Sequence, residues 1–335
     1  MSAQSSHKRV KARAAVIVVT YNSKAHFPRQ RAALDAQTYR DFALLVWDNG
    51  SRADQRPVAA DYPDDAIIIQ SEENVGFAAG NNRAAELVEA DFIVLLNPDA
   101  FPEPDWLEKL VSAAEARPKT GSLGSTQIMC DEPTRYDGLG DCYHAAGVPW
   151  RGAFGWRVAE ISPSTRTFSA CAAAALYRSE AWTAAGGFDE SYFAYCEDVD
   201  LGFRLRLLGW DVQQAENAIV HHIGGASSGK KSAFAIYYGT RNRLWTFVKC
   251  MPLPLIILLS PAHLAVNVAF LLVSPFRGTG IATWRGFIHA FLGIGRILRT
   301  RRFLQKQRIA TIKSLCAAMS WNPLHILSRA PRRAS

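Results

Sequence analysis

Three small groups of polar residues in this 335-residue chain have the types and spacing to handle a metal ion, an anion and a proton. The first is Asp99, which follows an unbroken apolar run, Phe92 to Leu96, and the breakers Asn97-Pro98. Proline cannot donate to a sheet ladder and asparagine favours turns, so the run ends there and presents a carboxylate just past its tip. The second is Glu197-Asp198-Val199-Asp200, which opens a helical pattern with Leu201, Leu205 and Leu208 on one face, beside Tyr192, Phe193 and Tyr195. A carboxylate at a helix N-terminus is expected to stay ionised at neutral pH and so to accept a proton without a raised pKa. The third is His221-His222, ahead of Gly224-Gly225 and Ser227-Ser228; imidazole and carboxylate together suit a divalent metal. Each group has a plainer reading. Asn-Pro-Asp alone is a turn, first-turn acids cap ordinary helices, Asp200 and Arg204 at i,i+4 can pair on a surface, and a histidine pair is often structural.

Elements that would position these groups are legible in the apolar pattern. Residues 14–20 (AAVIVVT), 42–47 (FALLVW), 66–70 (AIIIQ) and 91–96 read as strands buried on both faces, with helices over 24–37 and 78–90 between them. Alternating strand and helix at these intervals predicts βαβ units and a parallel sheet. Every one of the four strands runs into a polar or glycine-bearing loop, TYNS, DNGS, ENVGF and NPDA. Parallel strands would deliver all four loops to one edge, where ligands of open α/β sheets bind. Neither GxGxxG nor GxxxxGK[ST] is present, so a dinucleotide-binding or P-loop site is unsupported. Residues 122–168, rich in glycine and aromatics, read as a long surface loop or an acceptor-binding excursion, and 168–177 as a segment packed closely on the sheet.

Charge is distributed unevenly. Residues 1–216 hold 21 Lys and Arg and all 30 Asp and Glu, whereas residues 217–335 hold 17 Lys and Arg and no acid. An acid-free segment of 119 residues calls for an anionic partner, nucleic acid or a membrane surface. Residues 251–276 carry no charge at all, on the scale of a bilayer core, but include four prolines, which make one straight span poor and a re-entrant or interfacial helix pair an equal expectation. Residues 284–308 mix apolar residues with a basic cluster, as a helix lying in an anionic interface does. A membrane therefore accounts for the segment better than nucleic acid. The first 13 residues are basic and polar, are expected to be disordered, and lack the apolar core of a signal peptide. Six cysteines without metal-site spacing are expected to be free thiols.

The ordered set VIVVTYNS (16–23), WDNGS (47–51), ENVGFAAGNN (73–82), LLNPDA (95–100), GGFDESYFAYCEDVDLGFRLRLLGW (186–210), HIGGAS (222–227) and YYGTRNRLW (237–245) resembles the family 2 glycosyltransferases, in particular their bacterial rhamnosyltransferase-like branch. The resemblance implies a GT-A fold, α/β and Rossmann-like, with a mostly parallel twisted sheet flanked by helices over 14–245 and a helical membrane-associating region over 246–335. It also implies roles. Thr20, Tyr21 and Asn22 would line the nucleotide pocket, Asp48 would meet the pyrimidine's imide edge, and Asn74, Gly76, Asn82 and Asn97 would lie along the nucleotide-sugar. Asp99 would be the metal carboxylate and His222, rather than His221, the distal metal ligand. Asp198 would be the catalytic base, with Glu197 the alternative. The family's DxD is Asn97-Pro98-Asp99 here, leaving one carboxylate for Mn2+ or Mg2+.

The expected activity is transfer of a sugar, rhamnose from a dTDP donor or another from a UDP donor, to a lipid-linked glycan for cell-surface polysaccharide, at the cytoplasmic face of the bacterial inner membrane. The missing first carboxylate leaves open a catalytically inactive membrane scaffold of the same fold. A soluble nucleotidyltransferase shares the α/β core but gives no reason for the acid-free tail.

Overall fold

The computed structural model describes residues 9–163, 165–224 and 232–333. Residues 1–8 of the basic N-terminus, and residues 225–228 of the Gly-Gly and Ser-Ser sequences after His222, lie outside the described residues. Strands β1 (Val10–Thr20) and β2 (Phe42–Asp48) flank helix α1 (Phe27–Asp35) in sequence; β3 (Ile67–Gln70), α2 (Phe77–Ala85) and β4 (Val88–Leu96) follow. The four strands lie in the order β3-β2-β1-β4, all parallel. Period-2 alternation decides the layers. Val16 and Val18 of β1 join a core with Phe27 and Leu34, while Ile17 and Val19 join another with Ala78 and Ala84. Two boundaries shift for one reason: Val10–Ala12 pairs with Val88–Ala90, so β1 reaches into the basic N-terminus and α2 stops five residues before position 90.

Beyond β4 the sheet turns mixed. After β5 (Ala100–Pro102) and α3 (Trp106–Glu115) come β6 (Thr120–Met129), β7 (Tyr136–Gly138), β8 (Asp141–His144), β9 (Val148–Arg151) and β10 (Thr165–Arg166). Then follow β11 (Ala174–Arg178), α4 (Ser179–Ala185), α5 (Glu197–Leu207) and β12 (Asp211–His222). The main sheet continues β4-β11-β6-β12-β5, with β11 antiparallel to both neighbours and β7 added to β6. Residues 122–168 are thus not a long surface loop but carry strands of the fold. All ten residues of β6 are buried, and the aromatics pack inward: the Tyr143 ring lies 4.9 Å from Phe168 and 5.4 Å from Phe203.

Helices α6 (Ala233–Cys250), α7 (Leu253–Val273), α8 (Gly280–Leu292), α9 (Ile294–Lys306), α10 (Ile312–Ala318) and α11 (Leu324–Ser328) complete the chain, with a short β13 (Arg332–Arg333) paired to β10. A division at residue 245 falls inside α6, and it would cut a charge network. The ammonium of Lys249, fully buried, lies 2.7 Å from Asp189 and 2.7 Å from Asp200, and Asp200 also accepts from Arg204 at 2.8 Å. The Asp200–Arg204 pair is therefore interior, not a surface pair, because α6 roofs it. Burial works against an ionised Asp189, but Lys249 outweighs it and holds the carboxyl well below the usual range. Region 251–276 is one 21-residue helix, α7, and not a pair; it runs through Pro261 and rests on the core through Leu255, Leu259 and Asn267. All six cysteines are free thiols.

Removing one partner of a buried ion network leaves an uncompensated charge. Lys249→Met strands Asp189 and leaves Asp200 with Arg204 alone, and is expected to destabilise the protein by about 3–5 kcal/mol, read as a fall in thermal midpoint. An unchanged midpoint would show that the network does not tie α6 to the catalytic core.

Candidate active site

Register sets the site. Thr20 pairs with Asp48 across β1–β2, and Ile17 with Leu95 across β1–β4, so the ends of β2, β1 and β4 stand level. Two strand spacings separate Asp48 from the Asn97-Pro98-Asp99 turn, about 10 Å, a span suited to a nucleoside and its diphosphate. At the β2 end, Asp48 is wholly buried; Oδ1 accepts from the Ser51 backbone at 3.3 Å, and Oδ2 has no hydrogen bond, with Arg56 3.8 Å away. The buried Thr20 hydroxyl is likewise unpartnered. Two orphaned polar atoms in register can satisfy a ligand's polar edge.

The surrounding residues shape this pocket more than they fill it. Tyr21 is exposed at its mouth. Asn22, in the left-handed region, clamps the β1 and β2 loops: its amide oxygen accepts from the Arg52 backbone at 2.9 Å and its N–H donates to the Ser51 hydroxyl at 2.8 Å. Asn74 accepts from the Asn49 side chain and the Gly76 backbone, each at 2.9 Å. Gly76 has φ +90°, and a Cβ there would sit 2.6 Å from the Phe193 ring, so no side chain fits. Asn82 is committed elsewhere: its amide exchanges two hydrogen bonds of 2.9 Å with the Phe188 backbone and a third, 3.1 Å, with Glu190, which pins α2 to the loop before α5. The Asn97 carbonyl accepts from Gln30 at 2.7 Å, holding the turn.

Antiparallel pairing of β12 with β5 sets His222 against Ala100, and the Ile223 N–H donates to the Asp99 carbonyl at 3.1 Å. The result is a buried pair, Asp99 Oδ1 and His222 Nε2, 3.3 Å apart. That Nε2 makes no hydrogen bond of good geometry. Two neighbouring ligands on an ion with bonds of about 2.0–2.2 Å stand roughly 3 Å apart, so the pair fits a divalent metal. Nδ1 of the same ring faces Asp137 Oδ2 at 2.7 Å, the carboxylate that orients a metal-binding imidazole. Burial pushes Asp99 up, but His222 outweighs it and keeps the carboxyl below its ordinary value; burial likewise opposes the charge of His222, and Asp137 with Asp99 raise it. His221 turns the other way, to Glu103 at 2.7 Å near the surface.

From Asp137 a line of charge runs to α5. Arg151 ion-pairs with Asp137 and lies opposite Asp141 in the β8–β9 register. Burial works against its charge, but Cys171, Asp137, Asp141 and Asp198 together hold it up. Asp198 accepts from the Ala172 backbone at 3.2 Å and from Val199 at 2.8 Å. Burial nonetheless raises its pKa, with those N–H groups and Arg151 offsetting part; Asp141 is raised well above normal by burial and then by Asp198. The expectation of an unshifted carboxylate is thus corrected, since α5's first turn is interior. Two close buried carboxyls share a proton. Glu197 is pushed up well above its ordinary value by burial and then Asp198, and its Oε2 is buried without a partner. Asp141, Cys171 and Asp198 also place ligand atoms within 4.8 Å of one another. Burial keeps the Cys171 thiol protonated, with a pKa pushed up to about 12, and Arg151 already neutralises the acids, so Asp99–His222 is the better metal site.

Before α5 the backbone is strained: Phe193, Tyr195 and Cys196 have φ of 65°, 68° and 64°. Asn242 of α6 restrains this loop by donating to the carbonyls of Tyr192, Ala194 and Tyr195 at 2.9, 2.9 and 2.7 Å. Sequence reasoning missed Asp137, Asp141, Arg151 and Asn242. The first three lie in the aromatic stretch without a spacing signature; Asn242 lies within a quoted motif, but only the fold gives it a task.

The glycosyl transferase family 2 pattern matches residues 15–181. The N-acetylglucosaminyl-diphospho-decaprenol L-rhamnosyltransferase of Mycobacterium tuberculosis is 32% identical over 245 residues, spanning 65% of this chain and 78% of the relative. A mannosyltransferase from Pyrobaculum calidifontis, in complex with GDP-Man and Mn2+, superposes with a TM-score of 0.53 at 17% identity, over 89% of this chain and 85% of its own. GalNAc-T7 with UDP, GalNAc and Mn2+ gives 0.55 at 10% identity, over 71% of this chain and 50% of its own. These two show a shared glycosyltransferase fold.

Outer carboxylates typically govern metal affinity by 10- to 100-fold. Asp137→Asn is therefore expected to raise the Mn2+ concentration giving half-maximal binding by about that factor, in a titration of the protein alone. Unchanged affinity would separate Asp137 from the metal pair.

Proposed function

The chain belongs to glycosyl transferase family 2, and from that premise we propose an inverting, divalent-metal-dependent transferase that moves rhamnose from dTDP-rhamnose onto a lipid-linked diphospho-sugar. The observation that carries the reading is continuity: Asp99, His222, Asp137, Arg151, Asp141 and Asp198 form one chain of facing charges at the sheet's ligand-binding edge. The transferred sugar and the acceptor follow the mycobacterial relative's name, which specifies L-rhamnose transfer to a diphospho-decaprenol-linked sugar, and the dTDP carrier follows the family resemblance.

In this reading the donor's pyrimidine meets Asp48 and Thr20, and its diphosphate reaches the Asn97-Pro98-Asp99 turn. Asp99 and His222 would hold Mn2+ or Mg2+, which when bound stabilises charge developing on the diphosphate. Asp198 takes the proton of the acceptor hydroxyl as that oxygen bonds the anomeric carbon; the anomeric carbon–oxygen bond to the diphosphate breaks and the nucleotide leaves with the electron pair. Configuration inverts because attack and departure lie on opposite faces. Glu197, favoured in its protonated form, is a poorer base.

Membrane placement is supported by the C-terminal helices. Helix α7 has mean hydropathy 2.2 and leaves Ile257, Leu258 and Leu264 about two-thirds exposed. Phe276, Ile281, Phe291 and Leu292 extend that apolar surface beside the basic residues of α9. A helix with one face on its own domain and the rest apolar suits the bilayer interface on the cytoplasmic side.

Full-length protein assayed with dTDP-rhamnose, UDP- and GDP-sugars, Mn2+ and a synthetic diphospholipid-linked N-acetylglucosamine tests the transfer. Asp198→Asn is expected to lose about 10²–10⁴-fold in kcat while keeping donor affinity, and full activity would move the base elsewhere. Since burial raises Asp198, kcat/KM should fall as pH drops through a limb above the ordinary carboxylate value of 3.8, and a limb at or below that value contradicts the assignment. Donor binding without turnover would favour an inactive scaffold. The paired change Ile257→Glu and Leu258→Glu, on exposed positions, should shift the protein from the membrane to the soluble fraction; retention there would remove α7 as the anchor.

A further inference from the structure

Helices α6, α8 and α9 line an open pocket of about 580 Å³ that the transfer chemistry above leaves unused. Its polar lining is Arg241, Arg296, Arg299, His289 and Tyr237, around the indole of Trp245. The guanidinium of Arg241 lies 4.2 Å from the Trp245 ring centroid and that of Arg296 4.9 Å from it. Two cations share one aromatic ring, and burial together with Arg296 depresses the pKa of Arg241. Nothing acidic answers them: residues 217–335 contain no Asp or Glu, and neither Arg296 nor Arg299 has a carboxylate partner among the described residues.

The pocket is a built feature. Trp245 donates its indole N–H to the Ala290 carbonyl at 3.0 Å, and the Tyr237 hydroxyl meets His289 Nδ1 at 2.5 Å. Gly293, where α8 passes into α9, lies so close to the indole that a Cβ would fall 2.5 Å from it. Arg241 faces the catalytic side as well, donating to the Ser191 and Tyr192 carbonyls at 2.8 and 3.0 Å in the segment leading to Asp198. On the other side Leu292 lines the pocket and, with Phe291 and Ile288, opens onto exposed apolar surface. Aromatics fill the interval toward the base: Tyr238 stacks on Phe193 at 5.3 Å, and Phe234 lies 6.1 Å from Tyr195.

We infer that this pocket binds the phosphate groups of the lipid acceptor. The order along the surface (catalytic loop, aromatic wall, arginine pocket, apolar face) matches the order sugar, diphosphate, hydrocarbon in such a molecule. Arginine forks suit phosphate oxygens, and clustered cations without acids select an anion. This inference rests on the lipid-linked acceptor proposed above, and its test separates the two.

Geranyl diphosphate and geraniol are titrated into the full-length protein in detergent, wild type beside the double variant Arg296→Ala, Arg299→Ala. Both arginines are exposed, and neither belongs to the catalytic or donor-binding machinery. Expected is saturable binding of the diphosphate but not the alcohol, weakened about tenfold or more in the variant, with unchanged donor binding. In turnover, KM for the diphospho acceptor should rise by the same factor while kcat holds. Equal binding by variant and wild type, or equal binding of geraniol, overturns the inference. So does a variant that keeps geranyl diphosphate affinity but no longer sediments with phosphatidylglycerol vesicles, because the pocket would then read bulk headgroups. Diphosphate binding that depends on the arginines, in a wild type that transfers no sugar, sustains the pocket and overturns the transfer reading.

Discussion

One guanidinium, that of Arg151, makes the rest of the site possible. Three carboxyls, Asp137, Asp141 and Asp198, converge in a largely dry region, and repulsion alone would force them neutral. Arg151 bonds Asp137, faces Asp141 across the β8–β9 register and has its charge supported by Asp198 of α5 as well, so one cation serves both the carboxyl beside His222 and the pair at the start of α5. Its position depends on a close approach as well: a Cβ on Gly138 would fall 2.5 Å from the arginine's aliphatic stem. The Asp99–His222 pair and Asp198, the proposed metal ligands and base, are thereby linked through a single side chain, which no pairwise reading of motifs reveals.

A second constraint ties the catalytic loop to the C-terminal helices. The strained residues Phe193, Tyr195 and Cys196 persist because α6 over-determines them, through Asn242 on three carbonyls, Arg241 on two, and Lys249 beneath on Asp189 and Asp200. Helix α6, which holds this loop, packs in turn on α8, which carries part of the exposed apolar surface. The loop before Asp198 therefore depends on the C-terminal third, which is built into the same body rather than appended to it.

Much of this was legible before any coordinates. The run Ala14–Thr20 declared a strand covered on both faces because its neighbours are apolar without interruption, and four such runs sufficed for the parallel half of the sheet. His222 and Asp99 were visible as residue types. What failed to show was anything whose meaning lies in cross-strand register: Asp137, Asp141 and Arg151 are ordinary polar residues until β7, β8 and β9 fold beside β6 and β12. The aromatics between them looked like loop residues because their burial comes from packing against α5 and α6, far away in sequence. Asp200 misled for the same reason, since its helix periodicity is that of a surface pair and only α6 reveals the ammonium above it.

The departure at Asn97 gains a physical account from these contacts. A site with one acid and one neutral imidazole offers a divalent ion a single negative charge from its direct ligands. Asp137, 2.7 Å from the far nitrogen of His222, would push electron density toward Nε2 and places a second negative charge on the opposite side of the ring. Arg151 tempers that charge, so an ion bound there would be held by a carboxylate and a polarised imidazole, less tightly than by two carboxylates. A looser ion leaves more of the electrostatic work to the incoming diphosphate, which brings its own oxygens. Binding of metal and donor should then be cooperative by construction, each presenting ligands the other lacks. In the proposed reading the absent first carboxylate would change how an ion is held, and the geometry around Asp99 and His222 gives no reason for it to abolish the chemistry.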